Sequence, residues 1–365
     1  MTGTQKTAAL PEWDLGDLYT SPDAPEVDAD LTSALADARA FEDRHKGNLS
    51  NLDGDALAAA IAEYEMIEEQ LGRLGSYAGL LHAANVIDPE VGRFQQNTME
   101  RINEISLHLL FFTLELNRIE EPDIAACLAA SPALDGYRPW IDQVRRFRPH
   151  QLGDDMERML HEKDVSGASA WTRLFDETMA AVEFDVADPA TGDTQNLNLE
   201  ETLNLLSDTD GARRKAASEA LSATFSQNIR LFTLITNTLA KDKAIEDKWR
   251  AFAAPDHARH LSNNVEPEVV DALRTAVTAA YPELSHRYYQ LKARWFGTEQ
   301  LDFWDRNAPL PDDADENIGW PDARDMVLAA YRAFSPRLAD VGVRFFENAW
   351  IDAAVKKGKA PGAFS

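Results

Sequence analysis

The sequence predicts a mainly α-helical protein of the all-α class that carries one small β-hairpin. Residues 27–46, 55–83 and 88–116 place apolar side chains at spacings of three and four, as amphipathic helices do. Short turns join these segments, so we expect an antiparallel bundle. The hairpin is predicted near 181–198, because AVEFDV and TQNLNL flank the turn sequence DPATGD.

Start and stop signals support the individual helices. Gly47 follows the first helix as a stop signal, while Asp88 and Pro89 supply a cap and a first-turn proline to the third. The same periodicity predicts later helices at about 199–208, 210–250, 267–281, 283–296, 321–334 and 337–357. No period of 20–50 residues repeats, so a helical solenoid is not expected.

The composition excludes several classes of function. The 365 residues include 62 acidic and 36 basic side chains, which gives a net charge of −26. A nucleic-acid-binding protein would show a basic stripe, and an anionic membrane surface would repel this chain. The single cysteine, Cys127, allows no internal disulfide and no Cys-based zinc site, and its apolar setting predicts a buried structural residue. No secretory signal or membrane span is recognisable, so we expect a cytoplasmic protein.

In a chain with one cysteine, a metal site would most readily be built from histidines. The nearest approach to a zinc-binding HExxH motif begins at His161, but Val165 stands where the second histidine belongs. His257 and His260 form an HxxH pair that could share a metal ion. Pro255 and the following polar residues predict a loop there, and the sequence indicates no third ligand.

Two ExxH pairs on different helices could supply half of the ligands of a di-iron site. They are Glu42 with His45 and Glu283 with His286. The first pair precedes a helix-ending glycine among charged residues, which predicts an exposed turn rather than a bundle interior. The residues taken alone therefore give a large acidic helical protein without a complete catalytic site.

The order of segments along the chain resembles oligoendopeptidase F, a member of the thimet-oligopeptidase-like zinc metallopeptidases. The resemblance runs from Trp13 to Ser365 and depends on collinear order, since each segment is degenerate alone. The segments are EWDLGDLY (12–19), LGRLGSYAGLLHAANVIDP (71–89), LLFFTLELNRI (109–119), RRFRPHQLGDDMERMLHEKDVSGASAWTRLFDE (145–177), DKAIEDKWRAF (242–252), LSNNV (261–265), RYYQLKARWFG (287–297), FWDRNAPLP (303–311) and ENAWIDAAVKKGKAPGAFS (347–365).

The resemblance implies a mostly helical fold in two lobes beside a deep channel, where a zinc-bound water cuts short unfolded peptides. Residues 1–200 would form an N-terminal helical lobe, and residues 201–365 would begin the catalytic lobe. The family's HExxH helix, its general-base glutamate and its third zinc ligand all follow the GKxxGAFS element, where this sequence stops. We therefore expect a truncated second lobe, no inherited catalytic or metal-ligand residue, no zinc bound to this chain and no activity of the chain alone.

The resemblance also implies a substrate-binding segment. In the family the Gly-Ala-Phe stretch resembles an edge strand near the zinc helix, and an extended peptide could pair with such a strand through main-chain hydrogen bonds. Gly362, Ala363 and Phe364 are the corresponding candidates in this sequence.

Two alternatives remain open at this point. The chain could be a genuine short, non-catalytic peptide-binding or scaffold protein, or a helical metal-binding protein that uses His257 and His260. If the second lobe is truncated, helices 267–357 are expected to expose apolar faces that the missing part would cover, which favours aggregation or homo-oligomers. We expect short peptides as partners and neither nucleic acid nor membrane.

Overall fold

The computed structural model describes residues 10–311, 318–360 and 362, and it confirms the mainly α-helical class. Nine helices precede the hairpin: α1 Pro25–His45, α2 Gly54–Ala84, α3 Pro89–Ser106, α4 Leu110–Arg118, α5 Glu121–Ala130, α6 Pro132–Gly136, α7 Arg138–Arg145, α8 Asp154–Asp164 and α9 Ala168–Ala181. The hairpin and the later helices follow: β1 Phe184–Ala187, β2 Thr194–Leu197, α10 Leu199–Asn204, α11 Gly211–Gln227, α12 Ile229–Trp249, α13 His257–Ser262, α14 Pro267–Ala280, α15 Arg287–Trp295, α16 Trp320–Phe334 and α17 Pro336–Glu347. No helix in these ranges is both long and apolar enough to cross a membrane.

The first helices begin where the sequence signals predict. The Asp88 carboxylate accepts a hydrogen bond from the Glu90 amide at 2.8 Å, which caps α3 as expected. Asp53 caps α2 in the same way through the Ala56 amide at 2.9 Å. These side chains satisfy amide groups that have no partner inside the helix.

The bundle core lies between α1, α2 and α4. The Phe41 ring is fully buried, and its centroid lies 5.1 Å from that of Phe112 and 5.7 Å from that of Phe111. An ion pair of 2.6 Å joins Arg44, at the end of α1, to Glu63, near the start of α2. The first two helices therefore run antiparallel, in agreement with the prediction.

The start of α2 passes unusually close to α5. A Cβ atom built on Gly54 would lie 2.5 Å from the carbonyl oxygen of Cys127 and 2.7 Å from Cβ of Ser131. Backbone atoms cannot rotate away as a side-chain tip can. Only glycine therefore permits this crossing.

We predict opposite effects for two Gly→Ala substitutions in α2. Gly54→Ala should lower the free energy of unfolding by about 1–3 kcal/mol, because the new methyl group forces α2 and α5 apart. Gly72→Ala should raise it by about 0.5–1 kcal/mol, because Gly72 is exposed, has no atom within 4 Å of its built Cβ and gains helix propensity. Urea unfolding of both variants measures the difference, and equal effects would show that the α2–α5 contact is unimportant.

The hairpin forms as predicted. Phe184 pairs with Leu197 and Ala187 with Thr194 in an antiparallel register, and Gly192 supplies the positive φ of 80° that the turn requires. The inward side chain of Phe184 is fully buried and packs edge-on against Phe225 of α11. The hairpin and α11 thus share a second, smaller core.

Two predicted helices are interrupted. The helix expected over 88–116 ends at Ser106, and α4 begins only at Leu110, so that Leu109 and Phe112 reach the bundle core. The run expected over 210–250 divides at Asn228, whose side-chain amide donates to the Thr224 carbonyl oxygen at 3.0 Å. Tertiary packing and a local side-chain bond account for these breaks.

The helix predicted over 337–357 is wrong beyond Glu347. Residues 348–360 instead form an irregular segment with turns at 348–349 and 357–358, here called the 348–360 strap, which contacts residues 11–14 and the end of α2. The Asp14 amide donates to Ala349 at 2.8 Å, and the Ala353 amide donates to Pro11 at 2.9 Å. The Val86 amide donates to the Gly358 oxygen at 2.7 Å. These long-range bonds replace the helical ones.

Helices α14 to α17 expose large apolar side chains, as the sequence predicts. Examples are Leu273, Leu284, Met326 and Phe334, of which Phe334 is 86% exposed. Whether these faces cause self-association stays a prediction.

Candidate functional site

The predicted substrate-binding segment lies only partly within the described residues. Gly362 has a φ of 91°, and its amide donates to Glu200 Oε1 at 3.0 Å. It borders a small cavity of about 240 Å³ together with Lys356 and Lys359. Ala363 and Phe364 lie outside the described residues, so the role of this segment in substrate contact stays a prediction.

His257 and His260 lie on the short helix α13, so the predicted loop is wrong. Their ring nitrogens have different partners. His260 Nε2 lies 3.3 Å from an oxygen of Asp256, whereas His257 Nδ1 accepts a hydrogen bond from the Ala253 amide at 3.3 Å.

The Glu42–His45 pair is not the exposed turn that the sequence predicts. His45 is buried at the end of α1 and packs on Phe41 with ring centroids 4.8 Å apart. Burial opposes the ionisation of Glu42, but hydrogen bonds with Lys46 and His108 outweigh it and lower the pKa of Glu42. The sequence prediction for this pair is wrong because the following helices, particularly the turn that carries His108, fold back over the end of α1 and cover it.

The remaining candidates form no larger cluster. His286 packs against Tyr281 at 6.1 Å in a π-helical turn, and Cys127 is half-buried with its sulfur 3.8 Å from the Leu52 oxygen. Among the described residues, no group of three His, Cys, Asp or Glu side chains could hold a metal ion. The zinc implied by the resemblance therefore has no fitting donor set among the described residues.

The main candidate site is a cleft between α4, α7 and α12, here called the α4–α7–α12 cleft, with a volume of about 720 Å³. Each helix presents one face, because the lining residues recur at spacings of three and four. They are Leu110, Thr113, Leu114 and Asn117 on α4, Trp140, Gln143 and Val144 on α7 with Phe147 beyond it, and Lys243, Glu246, Asp247 and Arg250 at the end of α12, with His150, Gln151, Glu157, Phe252 and Ala258 completing the wall. The volume is typical of sites that bind small ligands.

Two polar oxygens in this cleft lack a hydrogen-bond partner. Asn117 is only 5% exposed, and its Oδ1 atom is buried and unpaired. Gln151 Oε1 is also buried and unpaired, while its Nε2 donates to the Leu114 carbonyl oxygen at 3.1 Å. Buried acceptors without partners are rare and costly, and because both oxygens have almost no accessible surface they lie behind the wall of the cleft rather than facing its open volume.

A buried ion pair closes one end of the cleft. Arg250 donates to both oxygens of Glu157, at 2.7 and 2.9 Å, and also to Glu246 at 2.6 Å. These hydrogen bonds raise the pKa of Arg250. Burial opposes the ionisation of Glu157, but the bonds from Arg250 and from the Leu152 amide lower its pKa. Both side chains are therefore charged at neutral pH.

A second cavity of about 600 Å³ lies between α11 and α15 and is largely apolar. The charged groups beside it are satisfied within the protein. Arg214 pairs with Asp305 at 2.7 Å, and Lys292 Nζ donates to the Arg306 and Ala308 oxygens at 2.9 and 2.6 Å. Burial lowers the pKa of Lys292. The α4–α7–α12 cleft is larger, at about 720 Å³, and more charged side chains line it, so it is the stronger candidate.

The sequence carries one local signal for this cleft. Asn117 interrupts the apolar face of LLFFTLELNRI, and Gln151 lies inside the Pro-His-x-Leu segment. A polar residue on an otherwise apolar helix face can indicate such a site.

Comparison with known proteins supports the resemblance stated from the sequence. A family model described as Oligopeptidase F matches residues 115–184, which include Asn117, Gln151 and Glu157 of the cleft. The group B oligopeptidase PepB of Streptococcus agalactiae is 25% identical over 97% of this chain and 58% of its own length. The oligopeptidase PepF of Bacillus subtilis is 24% identical over 97% of this chain and 52% of its own. The chain is therefore similar to curated oligopeptidases over nearly all of its own length.

A solved structure agrees at the level of the fold. The crystal structure of oligoendopeptidase-F from Enterococcus faecium superposes with a TM-score of 0.71 at 21% identity, over 89% of this chain and 66% of that one. The chain spans slightly more than half the length of the curated relatives it matches.

Proposed function

We propose that this chain forms the N-terminal, peptide-binding portion of a zinc-dependent oligoendopeptidase that hydrolyses short peptides inside a channel. The observation that carries the proposal is the match to Oligopeptidase F over residues 115–184, since this segment supplies Asn117, Gln151 and Glu157 to the wall of the cleft. Relatives described as oligopeptidases that align over 97% of the chain support it further.

The proposal assigns the cleft to the boundary between two lobes. Residues 1–200 would form the first lobe and contribute α4 and α7, while residues 201–365 would begin the catalytic lobe and contribute α12. A cleft of about 720 Å³ admits a few residues of an extended chain but excludes a folded domain. A cleft of this size would favour short, unfolded peptides.

The residues described here would bind and orient the peptide rather than cleave it. The 365-residue sequence contains no HExxH motif, and its described part offers no metal-binding cluster. We therefore propose that this chain alone binds peptides without hydrolysing them, and that no catalytic zinc binds to it.

We predict saturable peptide binding without turnover. The purified chain should raise the anisotropy of a fluorescent, uncharged eight-residue peptide. A folded protein without net charge should not compete with the peptide for binding. A quenched version of the peptide should remain uncut with added zinc. Hydrolysis that a chelator abolishes would overturn the proposal that this chain alone does not cleave peptides. An absence of saturable binding would overturn the peptide-binding role.

A further inference from the structure

We infer that a second cavity, here called the α11–α15 cavity, binds an uncharged aromatic ring that carries a hydroxyl group, either as a free phenol or as a tyrosine side chain. The cavity has a volume of about 600 Å³ and lies between α11, α15 and the loop formed by residues 299–308. It shares no lining residue with the α4–α7–α12 cleft. The inference therefore goes beyond the function proposed for that cleft and does not depend on it.

Accessible aromatic rings line the α11–α15 cavity. The lining residues on α11 are spaced by three and four positions, so they share one face of the helix. They are Ser218, Leu221, Ser222 and Phe225. Tyr289 of α15 is 38% exposed, and Phe303 of the loop is 73% exposed, so a ligand can reach both rings. Aromatic rings attract one another beyond the effect of buried area alone, and these walls therefore favour an aromatic ligand over an aliphatic one.

Ser218 supplies a polar group within this apolar surface. The residue lines the cavity and is only 4% exposed. Its hydroxyl forms no hydrogen bond within the described part of the chain, yet Oγ is not one of the unpaired polar atoms that are sealed from solvent. The hydroxyl therefore keeps some accessible surface, and the cavity is the open space beside it. A phenol hydroxyl is a suitable partner, because each group can both donate and accept a hydrogen bond.

Two buried cations hold the wall of the cavity in place before a ligand binds. Arg214 of α11 is 3% exposed and donates to Asp305 at 2.7 Å. Lys292 of α15 is 2% exposed and donates to the carbonyl oxygens of residues 306 and 308 at 2.9 and 2.6 Å. These bonds connect both helices to the loop that carries Phe303. A wall that is already ordered loses little conformational freedom on binding, which favours affinity.

The charges around the cavity exclude an ionic group from its interior. The charged lining residues Glu299, Asp302 and Arg306 are all exposed. Every lining residue that is buried or half-buried is uncharged. Transfer of a charged group into such surroundings is costly without a partner. The part of the ligand that enters the cavity must therefore be neutral.

The test compares Ser222→Trp with Ser226→Trp in the full chain. Both serines are exposed on α11 and lie one helical turn apart, but of the two only Ser222 lines the cavity. The probe is p-cresol, and its binding is followed by ligand-detected NMR titration. We expect Ser222→Trp to weaken binding about tenfold or more, because the indole group takes up space in the cavity, and Ser226→Trp to leave binding unchanged. Both variants should melt at the wild-type temperature, since each changes an exposed position.

Ser218→Ala tests the hydrogen bond to the ligand. Toluene has the ring of p-cresol without its hydroxyl and serves as the matched ligand. Ser218→Ala should weaken the binding of p-cresol about fivefold, as expected for one net hydrogen bond, and leave the binding of toluene unchanged. An equal loss for both ligands would mean that Ser218 only shapes the wall, which would overturn its role as a hydrogen-bonding group.

A capped tyrosine, N-acetyl-L-tyrosinamide, distinguishes the two sources of the phenol. If it displaces p-cresol from the wild-type chain, the cavity accepts a tyrosine side chain, and if it does not, the cavity accepts a free phenol. The inference is overturned if p-cresol shows no saturable binding to the wild type, or if it binds the Ser222→Trp variant as tightly as the wild type. Either of these results leaves the peptide-binding role of the α4–α7–α12 cleft standing.

Discussion

Replacing Arg250 with methionine should lower the free energy of unfolding by about 3–5 kcal/mol. Glu157 is only 8% exposed, and both of its oxygens depend on the Arg250 guanidinium. Methionine preserves much of the apolar volume but leaves the carboxylate without its charged partner inside the protein. Urea unfolding monitored by circular dichroism measures the loss.

An exposed ion pair on α8, the helix that carries Glu157, provides the control. Arg158 bonds Glu162 at 3.1 Å across one turn of α8, and both side chains are about half exposed, so Arg158→Met should change the stability by less than about 0.5 kcal/mol. Adding Glu157→Leu to Arg250→Met should recover much of the loss, since no unpaired charge remains. A loss below about 1 kcal/mol for Arg250→Met would contradict the importance of the pair.

The same pair gives a pH dependence with a defined sign. The folded-state pKa of Glu157 lies below its ordinary value of 4.5, so the stabilisation is fully present above pH 4.5 and is lost as the pH falls through the lowered pKa. The difference between wild type and Arg250→Met should therefore shrink in acid.

Phe41→Ala should cost about 3–5 kcal/mol, because Phe41 is fully buried at the centre of the aromatic core of the bundle. Its neighbours on α1, α2 and α4 belong to regular helices and cannot easily collapse into the cavity. Phe334→Ala is the matched control, since the same atoms are removed from a ring that is 86% exposed. It should change the stability by about 0.5 kcal/mol or less. Similar losses in the two variants would mean that the bundle core does not dominate stability.

Much of the fold follows from local signals. Asp88 caps α3 and Gly192 turns the hairpin because each residue acts on neighbours within a few positions, which a sequence displays directly. The end of α17 at Glu347 was missed for the opposite reason. The partners of the 348–360 strap lie in residues 11–14 and 83–86, and no local pattern reveals such distant hydrogen bonds.

The candidate site was less predictable than the fold. Family resemblance drew attention to residues 145–177, but an unpaired acceptor such as Asn117 Oδ1 is defined by what fails to pack against it. The three candidates that the resemblance indicated, Gly362, Ala363 and Phe364, lie at or beyond the edge of the described structure, whereas the cleft draws its walls from α4, α7 and α12.

The 348–360 strap also sets the order in which the protein can be completed during translation. Glu12 and its ion-pair partner Lys356 are 344 positions apart, so a ribosome adding 5–20 residues per second delivers the lysine roughly 15–70 s after the glutamate. The aromatic core around Phe41 needs no residue beyond Val144 and can form much earlier. A nascent chain therefore carries a folded bundle whose contacts with the 348–360 strap have not yet formed. The amides of Asp14 and Val86 remain hydrated until the strap emerges.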